Sequence, residues 1–194
     1  MGGIGVTIDE MKQDLKKNQT KHRYEHIIGV ADTAACLAMR YGESVKQAYL
    51  AGLLHDNAKH FSEEELLRFC MAHQIEITKA EQRAPYLLHA KVGAYLANEA
   101  YGIQDADVLN AIAYHTTCRA GMSMLEKIIA LADFIEPNRK EIPNLSEVRG
   151  KAFVDLDQAV ILMLQNTIEY VSATKGIDYV DPLSKQAYDN LCNQ

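Results

Sequence analysis

The chain has 194 residues, 48% of them hydrophobic and 24% charged, a balance that fits one ordinary globular domain long enough to bury a core. Its formal charge of −6 argues against a general nucleic-acid binder, although a metal or a few basic side chains can reverse the field locally for a small anionic substrate. No apolar run reaches the roughly 18 residues of a membrane span, and MGGIGVTIDEMKQ at the N-terminus has neither the charged start nor the apolar stretch of a signal peptide.

Val6 stands where a myristoylation pattern requires Ser or Thr. Cys36, Cys70, Cys118 and Cys192 are widely spaced and form no CxxC pair, so free thiols in a reduced cytoplasm are expected.

Taken in chain order, nearly every segment reads as helix. Thr7 caps a short first helix ending near Asn18, and Thr20 opens a longer one that stops at Gly42, with His26, Val30, Thr33 and Leu37 along one face. Ser44 caps SVKQAYLAGLLHD. Ser62 with Glu65, and Ser123 with Glu126, make capping boxes for two further helices. Between those boxes the pattern predicts one helix from about Pro85 to Gly102 and another from about Asp105 to Thr116.

LEKIIALADFIEP is stopped by Pro137, and VDLDQAVILMLQNTIEYVSATKG is closed by Gly176. A last short helix begins near Asp181 and Pro182. No period-two run reads as a strand, and no repeat or linker interrupts the chain. A single all-α helical bundle is expected, with AVILMLQNTI serving as core or as a dimer face.

Six residues break the apolar pattern. His26 lies on an apolar stripe, His55 and Asp56 end AYLAGLL, and His89 follows YLL. His115 ends VLNAIAY, and Asp133 sits inside IIALADFI. A lone histidine of this kind is usually a hydrogen-bonded core residue. Asp133 resists that reading, because a buried carboxylate requires a cation or several donors and its own helix supplies none. Four His and two Asp on five predicted helices suit iron, manganese, zinc or, less well, magnesium. Six ligands are too many for one open site and fit two divalent ions bridged by a carboxylate.

The ordered set His26, His55-Asp56, His89, His115 and Asp133 resembles the HD-domain metal-dependent phosphohydrolases. RYEH (23–26), HDNAK (55–59), HTT (115–117) and MSMLEKIIALADFIEPNR (122–139) are similar to the YqeK group, bacterial hydrolases of dinucleoside polyphosphates. The resemblance runs from Arg23 to Arg139 and extends through the C-terminal helices, so the chain reads as one domain with a motif core at about 20–140. One departure is Cys118, which stands where the family more usually has Gly after HTT, so the turn leaving His115 is expected to differ slightly.

The resemblance implies two divalent metal ions, iron foremost. His26, His55, Asp56 and Asp133 would hold one, and Asp56, His89 and His115 the other. A shared hydroxide would cleave diadenosine tetraphosphate at its centre into two ADP. Lys59 can meet phosphate oxygens, the alternative being a solvated lysine at a helix end. Arg23 and Arg139 are candidate phosphate forks, Arg23 alternatively a surface ion pair. Thr116 and Thr117 can donate hydroxyls or merely cap a turn, and His60 can touch phosphate. Tyr86 and Tyr114 can stack on a base or pack in the core.

Other nucleotides remain open as substrates, namely guanosine polyphosphate alarmones, nucleoside triphosphates and cyclic dinucleotides. So does a non-catalytic nucleotide-binding regulator, against which the complete ligand set counts. Partners are expected to be a nucleotide substrate and, for the spare apolar surface near the C-terminus, a second copy in a homodimer. Neither nucleic acid nor a membrane is expected.

Overall fold

The computed structural model describes residues 6–193, so the first five residues of the stretch read for a signal peptide lie outside it. Among the described residues there are helices and turns but no strand. No helix is long and apolar enough to cross a membrane.

Helix α1 (Ile8–Asn18) starts in a complete Thr7/Glu10 capping box, and α2 (Lys21–Tyr41) starts at Thr20 and ends where Gly42 adopts a left-handed conformation. Helix α3 (Val45–Leu54) is capped by Ser44 and α4 (Glu63–Ala72) by the Ser62/Glu65 box. The single helix expected between Pro85 and Gly102 is divided. Pro85–Leu88 form a 3-10 turn and α6 (His89–Glu99) begins at the histidine. Ahead of them lies α5 (Lys79–Arg83), a five-residue helix with a Thr78/Glu81 box, too short to carry a periodic signal.

Helix α7 (Ala106–Tyr114) is capped by Asp105, and α8 (Met124–Ile135) by the Ser123/Glu126 box before Pro137. Then comes α9 (Leu145–Ala152), which was not among the expected helices; its entry residue, Asn144, is left-handed and makes no side-chain cap. Helices α10 (Leu156–Thr174) and α11 (Pro182–Cys192) follow, capped by Asp155 and Asp181.

Helices α2, α3 and α8 form the centre. Ile27, Val30, Leu37, Leu53, Leu54, Ile128, Ile129 and Leu131 are wholly buried there. Helix α7 lies against α3, α6 and α8, while α10 packs on α8, α9 and α11. The apolar residues of α10 therefore face this core, with Leu156, Ala159, Val160, Met163 and Leu164 buried. A smaller cluster of Ala58, Leu66, Cys70, Leu88 and Val92 sits beneath α4 and α6.

The approach of α2 to α3 is closest where small residues meet. A Cβ on Gly52 would stand 2.9 Å from Ala31 Cα and 3.2 Å from Val30 O, both main-chain atoms that cannot step aside alone. Gly52→Ala must therefore push the two central helices apart, at a cost of about 1–3 kcal/mol. Urea unfolding is expected to show that loss as a lower midpoint with an unchanged slope. A midpoint equal to the wild type would show that the helices are not pressed together at this point.

Candidate metal centre

Three of the four histidines are built alike. His55 directly follows α3, His115 directly follows α7, and His89 follows the 3-10 turn. At such ends the last carbonyls lack backbone partners. Each imidazole turns back onto one of them through Nδ1: His55 to Gly52 O at 2.6 Å, His89 to Tyr86 O at 2.5 Å and His115 to Ile112 O at 2.8 Å. A carbonyl only accepts, so Nδ1 carries the proton and Nε2 presents its lone pair inward. His26, inside α2, reaches the same tautomer by donating from Nδ1 to Glu136 Oε1 at 3.2 Å.

The four Nε2 atoms surround Asp56, whose residue is 3% exposed. Its two oxygens divide the histidines between them. Oδ2 stands 3.5 Å from His55 and 3.7 Å from His26, while Oδ1 stands 3.2 Å from His89 and 3.8 Å from His115. Asp133 adds Oδ1 at 3.1 Å from His26 and 3.9 Å from His55. Three groups of ligand atoms thus gather within 4.8 Å: His26, His55 and Asp56; Asp56, His89 and His115; and His55, His115 and Asp133.

Donor atoms on one cation at bond lengths of about 2.1 Å stand roughly 3–3.5 Å apart, so the separations here are of the right size. Two further observations fit a cation. Nε2 of His26 and of His55 is buried without a hydrogen-bond partner. His89 and His115 bring their Nε2 atoms within 3.3 Å of each other, an arrangement that lone pairs do not hold unaided. The residues fit a pair of divalent ions.

Without a cation the acids and imidazoles hold each other's charge: burial lowers the His55 imidazole, but Asp56 and Asp133 outweigh it and raise its pKa, a positive charge that a bound cation would replace. Burial would raise the Asp56 carboxyl, but His55 and His89 hold it well below the ordinary range. Burial likewise opposes ionisation of Asp133, and His26 and Arg139 overcome it. His115 is driven down to about 3 by burial and by the neighbouring imidazoles, which keeps its ring neutral and able to ligate.

The turn after His55 does not continue α3. Asn57, Lys59 and Phe61 donate backbone N–H groups to Leu54, Asp56 and Ala58, each three residues back, in place of helical bonds. Asn57 Nδ2 fastens this turn to Gly93 O at 3.0 Å, and a Cβ at Gly93 would meet Asn57 Oδ1 at 2.7 Å. Gln19, at the end of α1, donates from Nε2 to Asp56 O and Asn57 O at 3.2 and 3.1 Å. Arg149 of α9 donates to Ile135 O and Glu136 O, closing the end of α8 beyond Asp133. None of Gln19, Asn57, Glu136 and Arg149 was among the residues expected to matter. For Glu136 alone a signal existed, an acid three residues after Asp133 and directly before Pro137.

Among the residues expected to meet phosphate, several line the ligand set. Lys59 Nζ is 3.2 Å from both ring nitrogens of His89, hence over the ring rather than along the Nε2 lone pair. Burial lowers its pKa, with Asp56 opposing and Arg23 assisting. Thr116 Oγ1 lies 3.0 Å from His115 Nε2 and 3.4 Å from His89 Nε2. Arg23 Nη1 donates to Asp56 Oδ2 at 2.6 Å, and Arg139 Nη2 stands 3.6 Å from Asp133 Oδ1. The Arg23 ion pair thus reaches the ligand set rather than remaining on the surface.

Other expected residues lie apart. His60 is exposed, with its ring against Phe61 at 4.4 Å and Nδ1 3.2 Å from Gln19. Thr117 is buried, its carbonyl accepting from Ser184 Oγ at 2.7 Å. Tyr86 and Tyr114 lie under the cations of Lys175 and Arg119. Cys118 adopts φ +57°, the left-handed conformation that favours glycine. Its N–H donates to Tyr114 O at 2.7 Å.

A cavity of about 660 Å³ opens from His26 toward solvent. Its lining includes the cations of Arg23, Arg139 and Lys140, the acids Glu136 and Glu169, and the apolar Phe134, Ile142 and Tyr170.

The HD domain family model matches residues 23–138, which include all six metal-site candidates. A symmetrical bis(5'-nucleosyl)-tetraphosphatase of Bacillus subtilis is 43% identical over 81% of this chain and 83% of its own length. That of Halalkalibacterium halodurans is 44% identical over 89% and 91%. A crystal structure of a predicted HD superfamily hydrolase involved in NAD metabolism, from Clostridium acetobutylicum, superposes with a TM-score of 0.93 at 39% identity, covering 97% of this chain and 98% of that one. The helical bundle, the two histidine pairs divided by Asp56 and these matches lead to one conclusion: the chain belongs to the HD domain family.

Proposed function

We propose that this protein hydrolyses diadenosine tetraphosphate and related dinucleoside polyphosphates at the central anhydride, giving two molecules of ADP. The observation that carries the reading is the division of Asp56, with one oxygen toward His26 and His55 and the other toward His89 and His115, beside a cavity whose lining includes Arg23, Arg139 and Lys140. The names of the relatives from B. subtilis and H. halodurans support the choice of substrate.

On this reading His26, His55, Asp56 and Asp133 would hold one divalent ion, and Asp56, His89 and His115 the other. When bound, two such ions acidify water and neutralise charge on the phosphoryl group. A set of nitrogen and oxygen donors without thiolate supports iron, with manganese, zinc and magnesium as alternatives. One water is consumed, one bridging P–O bond breaks, and the leaving ADP keeps the bridging oxygen.

The protein's own groups bind and orient. Arg23, Arg139 and Lys140 face the polyphosphate from the cavity, and a nucleoside rests against Phe134 and Tyr170. Lys59, held over the His89 ring, donates to a non-bridging oxygen where charge grows in the transition state. Thr116 donates its hydroxyl beside His115, while Thr117 and His60 serve the turns that carry these groups. The chain acts as one catalytic domain, in the reduced cytoplasm that its four free cysteines suit.

Three outcomes test this reading. With reduced iron or with manganese, anaerobic incubation with diadenosine tetraphosphate is expected to give two ADP and no AMP plus ATP. Asp56→Ala is expected to abolish turnover, and AMP plus ATP from the wild type would overturn the position of cleavage.

Glu136→Ala removes the acceptor that fixes the His26 tautomer. It is expected to weaken metal binding by about 10–100-fold, as loss of such an outer partner does. Calorimetry on the metal reads this directly, and unchanged affinity would remove Glu136 from the site. Lys59→Met is expected to lower kcat by about 10²–10³, with metal affinity retained. A change confined to KM would make Lys59 a binding group only.

A further inference from the structure

The guanidinium of Arg23 occupies an unusual place for a group facing phosphate. It donates to Asp56 Oδ2 at 2.6 Å, the same oxygen that faces His55 at 3.5 Å and His26 at 3.7 Å. The Arg23 side chain is 31% exposed and that of Asp56 only 4%, so the pair reaches from the cavity into the ligand set. The backbone beneath is fixed, because Thr20 accepts the Arg23 N–H at 3.2 Å in the first turn of α2. The side chain is held less firmly: among the described residues, Asp56 is the acceptor its guanidinium meets.

We infer that Arg23 weakens the binding of divalent cations to this site and releases that restraint to an anion, so that cation and phosphate binding reinforce each other. The inference rests on the reading of Asp56 as the ligand shared by two ions. A unit positive charge within a few ångströms of a dication repels it strongly at the effective dielectric of a half-buried site. Oδ2 is also the atom through which Asp56 would serve the His26 and His55 side. The guanidinium therefore lowers the basicity of a ligand oxygen and adds like charge beside it.

An anion in the cavity reverses this effect. A tetrahedral oxyanion offers Arg23 two oxygens in the fork geometry guanidinium prefers, drawing it from Asp56 and neutralising it. Whatever factor the anion adds to cation affinity, the cation must add to anion affinity. Arg139 stands in the same relation to Asp133 at a looser 3.6 Å, which makes Arg23 the stronger of the two restraints. The competing role is a purely structural brace that holds Asp56 in place. That role predicts the opposite sign, since removing a brace loosens the metal.

The test is calorimetric titration of Mn²⁺ into chelator-treated wild type, Arg23→Gln and Arg23→Lys. Each is titrated with and without sulfate at constant ionic strength, with melting temperatures recorded alongside. Without sulfate, Arg23→Gln is expected to bind Mn²⁺ about tenfold more tightly than wild type. Arg23→Lys, which keeps the charge, is expected to stay near wild type. Sulfate is expected to tighten Mn²⁺ binding to wild type and to leave the glutamine variant unmoved.

Equal or weaker Mn²⁺ binding by Arg23→Gln would overturn the inference while leaving the metal centre intact. Absence of Mn²⁺ binding by the wild type in either condition would overturn the metal-centre reading itself. Should the glutamine variant not melt cooperatively, the wild type decides, because sulfate without effect on its Mn²⁺ affinity also overturns the inference.

Discussion

An ionised carboxylate 3% exposed at the meeting point of four imidazoles is the constraint on which the rest of this molecule depends. Burying Asp56 opposes its charge, and only convergent positive groups make the arrangement tenable. That requirement explains why five separate segments end, bend or begin within a few ångströms of it. Helices α3 and α7 stop there, α6 begins there, and α2 and α8 pass alongside. Asn57, Gln19 and Arg149 tie the surrounding main chain so that those approaches do not drift. The centre of the fold and the centre of the chemistry are the same place.

Much of this could be read from the residues alone, and the reason is local. The cap at Thr7 and the capping boxes at Ser62 and Ser123 are short-range devices, and the helices start where those residues lie. The six site residues announced themselves by interrupting apolar runs that had no other use for a charge. What escaped notice was short or relational. Helix α5 spans five residues, fewer than a periodic pattern needs, and α9 enters through Asn144 in a left-handed conformation without a side-chain cap.

Gln19, Asn57 and Arg149 act through carbonyls that only the folded chain brings near them, so no spacing could have marked them. At Cys118 a residue with a side chain stands in the left-handed region that favours glycine, its N–H bonded to Tyr114 O at the helix end. A side chain in that region costs roughly 1–2 kcal/mol, a sum the surrounding packing absorbs.

Charges of both signs meet at the mouth of the site. Asp56, Asp133 and Glu136 lie in or against the ligand set, where Arg23 and Arg139 meet the first two, and Glu136 and Glu169 line the cavity together with Arg23, Arg139 and Lys140. A chain with a formal charge of −6 thus gathers Arg23, Arg139 and Lys140 at one cavity, beside two glutamates. Other acids are spent elsewhere, on caps such as Glu10 and Glu65 and on surface pairs such as Lys21 with Glu25.

The recurring turn of a histidine onto the carbonyl three residues before it has a consequence for design. Each of these units contains its own orienting partner, supplied by a helix end or tight turn and not by a distant acid. Such a unit is modular. A designer who needs an imidazole with Nε2 aimed into a bundle can end a helix at the residue before the histidine and leave the third carbonyl back unpaired. Three copies of one local rule, set at different helix ends, supply three of the inward-facing imidazoles around Asp56 without any long-range hydrogen-bond network to be solved in advance.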